Sequence, residues 1–399
     1  MPPVIGAADR VVVGAPVAPR LGSLDTFRGI TIATMLIVSN PGRPNHTYAQ
    51  LRHADWHGWT VTDLVFPFFL FIVGLSMAMS VEGRVGAGAR RRDLLARALR
   101  RAAILFGLGL LVNSYPDWWT DLLRHHLDVR TIDLSGFRIM GVLQRIALAS
   151  LAAAPFVLWC RTRGQAIAAS VCLLGYWAIM SWVPVPPAGA GVWEPGRDVG
   201  AYIDRALLGT RHLGEKTWDA AGLLGTVPAV ANVLLGALAG VWVGSARTPR
   251  RKAIGLLVAG AAGVALGVWW NAVLPINKNL WTSSYAVFST GLALAATAAC
   301  YWLVDVAGYR AWARPFVVLG RNAILVYVMS ELAMLTLHGI RLGPKASPAS
   351  AYANYLLNHV VLRSTLSPAN ASLVYAFTIL LFWIGFAALL DRRGIYFKI

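Results

Sequence analysis

The chain has 399 residues, of which 57% are hydrophobic and only 14% charged, with three cysteines and a formal net charge of +18. A soluble domain carries about 25% charged residues, and runs of roughly 20 apolar residues, each able to cross about 30 Å of hydrocarbon, recur along this whole length. A soluble enzyme is thereby excluded, and the positive charge reads as loops kept in the cytoplasm, with no nucleic-acid partner expected.

Residues 1–22 contain the short run "VVVGAPVAP", too brief and too rich in proline for a signal-peptide core. They are expected to form a flexible cytoplasmic tail ahead of one domain spanning 23–399. That domain is predicted to be all-α, a polytopic membrane helix bundle of about ten spans. The spans fall near 26–41, 61–81, 96–114, 139–160, 165–184, 221–244, 253–274, 283–305, 316–338 and 372–391. Cys160, Cys172 and Cys300 lie inside these spans or at their ends, which argues against a disulfide framework.

The loops alternate in character. "EGRVGAGARRRD", "CRTRG", "GSARTPRRK" and "GYRAWAR", together with both termini, are rich in Arg and Lys. Loops 42–60, 115–138, 185–220, 275–282 and 339–371 are longer and mixed. Positive loops stay inside, so both termini are expected in the cytoplasm and the long loops outside. All eight histidines (His46, His53, His57, His125, His126, His212, His338, His359) then fall on or near the outer side. Histidine exchanges protons near neutral pH, although it is also a tolerable polar loop residue.

Span 1 opens with Arg28 on the inside and closes with Asn40 on the outside. Span 2 opens with Thr60 and Asp63, a T-x-x-D pattern that suits a capping box. Pro67 follows four residues later and removes the N–H that would bond the Asp63 carbonyl, so carbonyl and carboxylate are both available to other groups. His53 lies ten residues upstream in the adjoining loop. A carboxylate that holds one imidazole nitrogen leaves the other to take or give a proton. His53, Asp55 and His57, with His125 and His126, are the alternative reading as metal donors, but they lack zinc-site spacing, and no metal is expected.

Further along, Gln144 and Arg145 sit in span 4, Asn232 in span 6, Asn271 in span 7, and Arg321, Asn322 and Glu331 in span 9. Polar groups at such depth are costly and mark either function or helix–helix contacts. Arg28 and Arg321 are placed to hold phosphates from the inside. "LPINKNLWTSSY" gathers Asn277, Lys278, Asn279 and Trp281. Amides, a cation and an aromatic face suit a sugar, and equally suit an anchor at headgroup level.

Six stretches in order carry a resemblance: "RLGSLDTFRGITI", "HADWHGWTVTDLVFPFFLFIVG", "GVLQRIAL", "GLLGTVPAVANVLLG", "PINKNLWTSSY" and "GRNAILVYVMSEL". Together they are similar to the membrane acetyltransferases named for heparan-α-glucosaminide N-acetyltransferase and their bacterial relatives. The resemblance implies transfer of acetyl from cytosolic acetyl-CoA to a glucosamine amino group on the far side. It implies His53 of "HADWHGWT" as the active histidine and Asp63 as its acid. Asn40, the segment Asn277–Trp281 and Glu331 match further family positions. The expected arrangement keeps the nucleotide near the basic inner face, with Arg28, Arg145 and Arg321 as contacts there or along a tunnel. His53 then acts as base or acetyl carrier, oriented by Asp63, and Asn40 donates to the thioester oxyanion.

The sequence departs from human-type members, which carry a large luminal domain and an extra preceding helix. It also has the His46-containing insertion "PGRPNHTYAQ" ahead of His53, so acceptor preference is not carried over. The resemblance further implies a bacterial inner-membrane location and a homodimer. Small residues in spans 6–8 fit internal packing or a dimer interface. An O-acyltransferase acting on a sugar hydroxyl, and a transporter without chemistry, share the same composition.

Overall fold

The computed structural model describes residues 21–42, 44–124, 135–342, 347–361 and 366–397. Among these described residues there are thirteen α-helices: α1 (Gly22–Ser39), α2 (Val61–Gly86), α3 (Arg91–Arg124), α4 (Val142–Trp159), α5 (Thr162–Trp182), α6 (Val199–Leu208), α7 (Thr226–Gly244), α8 (Pro249–Trp270), α9 (Ser283–Cys300), α10 (Arg314–Arg321), α11 (Ala323–Gly339), α12 (Ala349–Tyr355) and α13 (Pro368–Arg392). A π-turn over Tyr301–Val306 extends α9. A two-residue antiparallel ladder joins Arg341–Leu342 to Ser347–Pro348.

Every apolar span read from the sequence lands on helix, the ninth on α10 and α11 together. Among the described residues, seven helices are long and apolar enough to cross a membrane: α2, α4, α5, α7, α8, α9 with its π-turn, and α13. α10 and α11, bent by 81° at Asn322, make an eighth if they form one broken span. The remaining two of the expected ten, α1 and α3, are more polar for a visible reason. Asp25 and Arg28 lie in the first two turns of α1, and α3 opens on "RRDLLARALRR".

The long connections gather on one face of the bundle. Trp56 Nε1 donates to the Trp193 carbonyl at 2.7 Å, and the Gly58 N–H to the Ile276 carbonyl at 2.8 Å. Arg138 clasps Asp219 through two bonds of 2.8 and 2.6 Å, and Asn354 donates to the Gly42 carbonyl at 3.0 Å. All five long loops of the sequence reading are thereby tied together. Short cationic connections occupy the other end, where Arg247 stacks on Trp242 at 4.2 Å and Arg91 donates to the Leu158 carbonyl.

The interior is closed by helices that approach backbone to backbone. A Cβ added at Gly74 on α2 would lie 1.8 Å from the Val233 carbonyl oxygen, and one at Gly236 on α7 would lie 2.1 Å from that of Phe71. Small residues permit such approach where no hydrophobic force separates helix from lipid. Gly260 and Gly291 serve the same purpose between α8 and α9, so these small residues are engaged in internal packing. Gly236→Ala should therefore force α2 and α7 apart and cost about 1–3 kcal/mol. A thermal-unfolding comparison in detergent checks this against Gly83→Ala, whose added Cβ meets nothing within 4 Å and should be near neutral.

Candidate active site

Asp63 is the third residue of α2 and only 1% exposed. A buried carboxylate requires several partners, and here each has a local or distant origin. The Thr60 N–H donates to Oδ2 at 3.0 Å, the reach-back half of a capping box, and Thr60 Oγ1 lies 3.1 Å from the same oxygen. The Ala54 N–H adds a third contact at 3.0 Å. These bonds fold the end of the 44–60 connection over the start of α2. Thr60 Oγ1 fastens that fold by donating to the Arg52 carbonyl at 2.6 Å.

The other carboxylate oxygen meets the imidazole. His53 Nδ1 lies 2.7 Å from Asp63 Oδ1, while the His53 side chain is 61% exposed. With Nδ1–H donating to the carboxylate, Nε2 presents its lone pair to the open side; this tautomer is assigned from the hydrogen-bond network. An oriented imidazole whose second nitrogen is not held by the carboxylate is the arrangement needed for proton transfer or nucleophilic attack.

Pro67 leaves the Asp63 carbonyl without a helical partner, as its position in the sequence requires. That carbonyl is not available to a ligand, however. Tyr285 Oη on α9 donates to it at 2.5 Å, which corrects the expectation that it stands open. Tyr285 was not among the residues singled out in the sequence, although a buried carbonyl freed by proline is a signal that some donor must answer it.

Lys278 completes the cluster. Its Nζ is 3.4 Å from Asp63 Oδ1, 2.9 Å from His53 Nδ1 and 3.3 Å from His53 Nε2. Burial pushes the Lys278 ammonium below its ordinary pKa, and the Asp63 charge pulls it back up. Lys278 stands in a tightly wired turn between α8 and α9. Asn271 Oδ1 accepts the Ile276 N–H at 2.8 Å, Thr282 Oγ1 donates to the Pro275 carbonyl at 2.8 Å, and Asn277 Oδ1 accepts the Leu280 N–H at 2.9 Å. Asn277 Nδ2 also reaches His57 Nδ1 at 3.3 Å, so His57 faces this turn separately from His53. Burial pushes His57 down from the usual histidine value.

Trp281 ends the turn with φ of +57°, a left-handed conformation that a large side chain adopts only under constraint. The constraint comes from beneath. Trp281 is fully buried, its Nε1 donates to Asn232 Oδ1 at 2.9 Å, and Asn232 Nδ2 donates to the Ala286 carbonyl and Thr290. The Arg145 guanidinium lies 4.7 Å from the indole centroid, a cation–π contact worth about 2 kcal/mol when desolvated.

Arg145 therefore belongs to the first turn of α4 at the long-loop end, not to the basic face. Its Nη2 donates to the Gly222 carbonyl at 3.0 Å, whereas Nε and Nη1 are buried without partners. Arg145 borders a small cavity also lined by Tyr176, Asp198, Asp204, Asp219 and Asn279. Asp204 accepts the Leu223 N–H at 2.8 Å, yet burial pushes its carboxyl up from 3.8 to about 6.

The other expected residues are placed elsewhere. Asn40 closes α1 at the long-loop end, but its Nδ2 donates to its own helix at the Leu36 carbonyl, 2.7 Å away, and Oδ1 is buried without a partner. Arg28 is held by Asp25 at 2.9 Å, Ser76 at 2.9 Å and the Gly320 carbonyl at 3.3 Å. Arg321 pairs with Asp391 at 2.8 Å. Both arginines thus clamp helices where phosphate contacts were expected. Asn322 uses both ends of its amide on Ile395 and Phe397.

Gln144 is fully buried with neither amide atom partnered, close against Gly109 and Gly141. Glu331, midway along α11, makes no hydrogen bond or ion pair with the His53 cluster among the described residues. His212 binds the Phe137 carbonyl at 2.8 Å. His125 and His126, part of the metal alternative, lie outside the described residues.

Two substitutions separate these contributions. Tyr285→Phe strips the donor from the Asp63 carbonyl and should destabilise the fold by about 1–3 kcal/mol, read as a lowered thermal midpoint. Because the Asp204 pKa is raised on folding, its contribution to stability is fully present below about pH 4 and is lost as pH rises through about 6. Asp204→Asn should accordingly stabilise the protein at pH 7.5 by up to about 3 kcal/mol, with the difference vanishing below pH 4.

Residues 20–259, which include His53, Asp63, Arg145 and Asn232, match the family model described as heparan-alpha-glucosaminide N-acetyltransferase, catalytic. The chain is similar to the human heparan-alpha-glucosaminide N-acetyltransferase, with 31% identity over 366 residues, covering 79% of this chain and 53% of that protein. The mouse protein of the same name is 30% identical over 367 residues, covering 79% of this chain and 54% of the relative. The chain thus spans about half the length of the curated relatives it matches. It belongs to the heparan-alpha-glucosaminide N-acetyltransferase family, with the family's catalytic region carrying the His53–Asp63 pair.

Proposed function

We propose that this protein transfers an acetyl group across a membrane, from acetyl-CoA at the basic face to the amino group of a glucosamine-type sugar at the face where the long loops meet. The observation that carries this reading is the 2.7 Å contact between the exposed His53 ring and the buried Asp63 carboxylate, within a chain of the acetyltransferase family. Acetyl-CoA is the donor substrate of this reaction. Its nucleotide is multiply charged and stays out of hydrocarbon, which suits the arginine-rich connections of the basic face. That face is the cytoplasmic one by the positive-inside rule, and in a bacterial inner membrane the acceptor side would be periplasmic.

His53 has two chemically sensible uses. As a base, Nε2 removes a proton from the acceptor amine; as a carrier, it takes the acetyl group before passing it on. In both, Asp63 keeps the ring oriented and offsets the charge that forms on it. Gln144, with an unsatisfied amide inside the bundle, suits the amide groups of a pantetheine arm, and the Asn277–Trp281 turn presents polar groups to a sugar.

Purified protein in liposomes, given radiolabelled acetyl-CoA and glucosamine, should form N-acetylated sugar. His53→Ala should lower kcat/KM by about 10²–10⁴, and Asp63→Asn should lower it as well while leaving acetyl-CoA binding intact. Full activity in His53→Ala would sink the assignment. Acetylation of neutral sugars in preference to glucosamine would show an O-acyltransferase, and absence of any transfer by the intact protein would favour a carrier without chemistry.

A further inference from the structure

Resting on the acetyl-transfer reading, we propose that Lys278 is a catalytic residue whose ammonium holds the oxyanion formed when the thioester carbonyl is attacked. Nζ lies 3.3 Å from His53 Nε2, the nitrogen that faces the open side. A carbonyl carbon attacked at that nitrogen, or by an amine that it deprotonates, brings its oxygen within hydrogen-bonding range of the ammonium. Preorganised donors act where charge develops, and they act most strongly where water is excluded. The Lys278 side chain is 19% exposed against 61% for His53, so the charge is held partly out of water beside an open imidazole.

The ammonium has donors to spare. Nδ1 of His53 has one in-plane site, and Asp63 occupies it at 2.7 Å; Nζ, 2.9 Å away, lies beside that bond and does not share it. One ammonium N–H points to Asp63 Oδ1 at 3.4 Å. An ammonium carries three N–H groups, so more than one remains beyond that contact. Asn40, the donor expected from the sequence, has its amide nitrogen on the Leu36 carbonyl, and it carries no charge. The bonded network of Asn271, Asn277 and Thr282 holds Lys278 in place before any substrate arrives.

Electrons balance along either route. The nucleophile's lone pair forms the new bond to carbon, and the carbonyl π pair moves to oxygen, where the Lys278 N–H receives it. Collapse restores the C=O bond and expels the CoA thiolate with the C–S pair. When the amine attacks directly, His53 Nε2 takes its proton; when Nε2 is itself the nucleophile, the amine then adds to the acetyl-imidazole, the second collapse expels the imidazole with the C–N pair, and the freed Nε2 takes the amine proton.

The titratable groups that face Lys278 are Asp63 from α2, His53 from the 44–60 connection and Arg145 from α4 behind Trp281; Tyr285 from α9 is engaged on the Asp63 carbonyl, and His57 touches the neighbouring Asn277. Burial lowers the Lys278 pKa, Arg145 lowers it further, and Asp63 opposes both. The ammonium is the working form, so activity should fall as pH rises through that lowered value. A guanidinium is charged across the whole range.

The test is kcat as a function of pH for the intact protein, Lys278→Met and Lys278→Arg. Lys278→Met should lower kcat by about 10²–10³ with KM for acetyl-CoA changed little. Lys278→Arg should recover part of that loss and remove the alkaline limb of the profile. If Lys278→Met does not fold, the Arg variant carries the test alone, since a merely structural lysine would leave the limb in place. Wild-type kcat in Lys278→Met overturns the proposal, as does an Arg variant that keeps the wild-type limb or is no more active than the Met variant. An intact protein that transfers no acetyl group fails the functional reading and this one together, whereas an active protein indifferent to Lys278 fails this one alone.

Discussion

The constraint on which the rest depends is the burial of one carboxylate at the mouth of α2. Asp63 at 1% exposure is tolerable only if its oxygens are fully engaged, because an uncompensated buried charge costs several kcal/mol. Its partners come from its own helix start, from the preceding loop and from a turn more than two hundred residues away in sequence. Pro67 extends the demand to the backbone by leaving the Asp63 carbonyl to be answered by Tyr285. A single residue thus draws α2, the 44–60 connection, the α8–α9 turn and α9 to one point.

The turn that delivers Lys278 is supported from within by an aromatic and a buried cation. Trp281 is held in a left-handed backbone conformation by its bond to Asn232 and by Arg145 against its ring. Such strain persists only where the surroundings over-determine it. The support of the site therefore lies in side chains of α4 and α7 that do not touch His53. Polar residues inside the bundle divide accordingly: Asn232 and Arg145 brace the site, Asn322 and Arg321 fasten the C-terminal segment, and Gln144 has an unanswered amide.

The two faces of the bundle differ in construction as well as in charge. Short arginine-rich connections close one end, and five longer loops interlock at the other through Trp56, Gly58, Arg138 and Asn354. That interlocking sets the His53 cluster at the same end as a small cavity lined by three buried aspartates and Arg145.

Composition, apolar periodicity and loop charge determined the membrane bundle, and the T-x-x-D spacing with a proline four residues later located a special point at the start of α2. These are local signals, set by one helix and its flanks. The family motifs singled out His53 and Asp63, and the structure brings those two together. What only the tertiary structure decided is which distant groups meet them. Lys278 and His53 are 225 positions apart and Tyr285 and Asp63 are 222 apart, and no sequence period encodes such pairs. Arg28 and Arg321 looked free because their acidic and carbonyl partners lie on other elements or are hidden by the helical turn. A buried charge announces in sequence that it needs a partner; packing alone decides which one it finds.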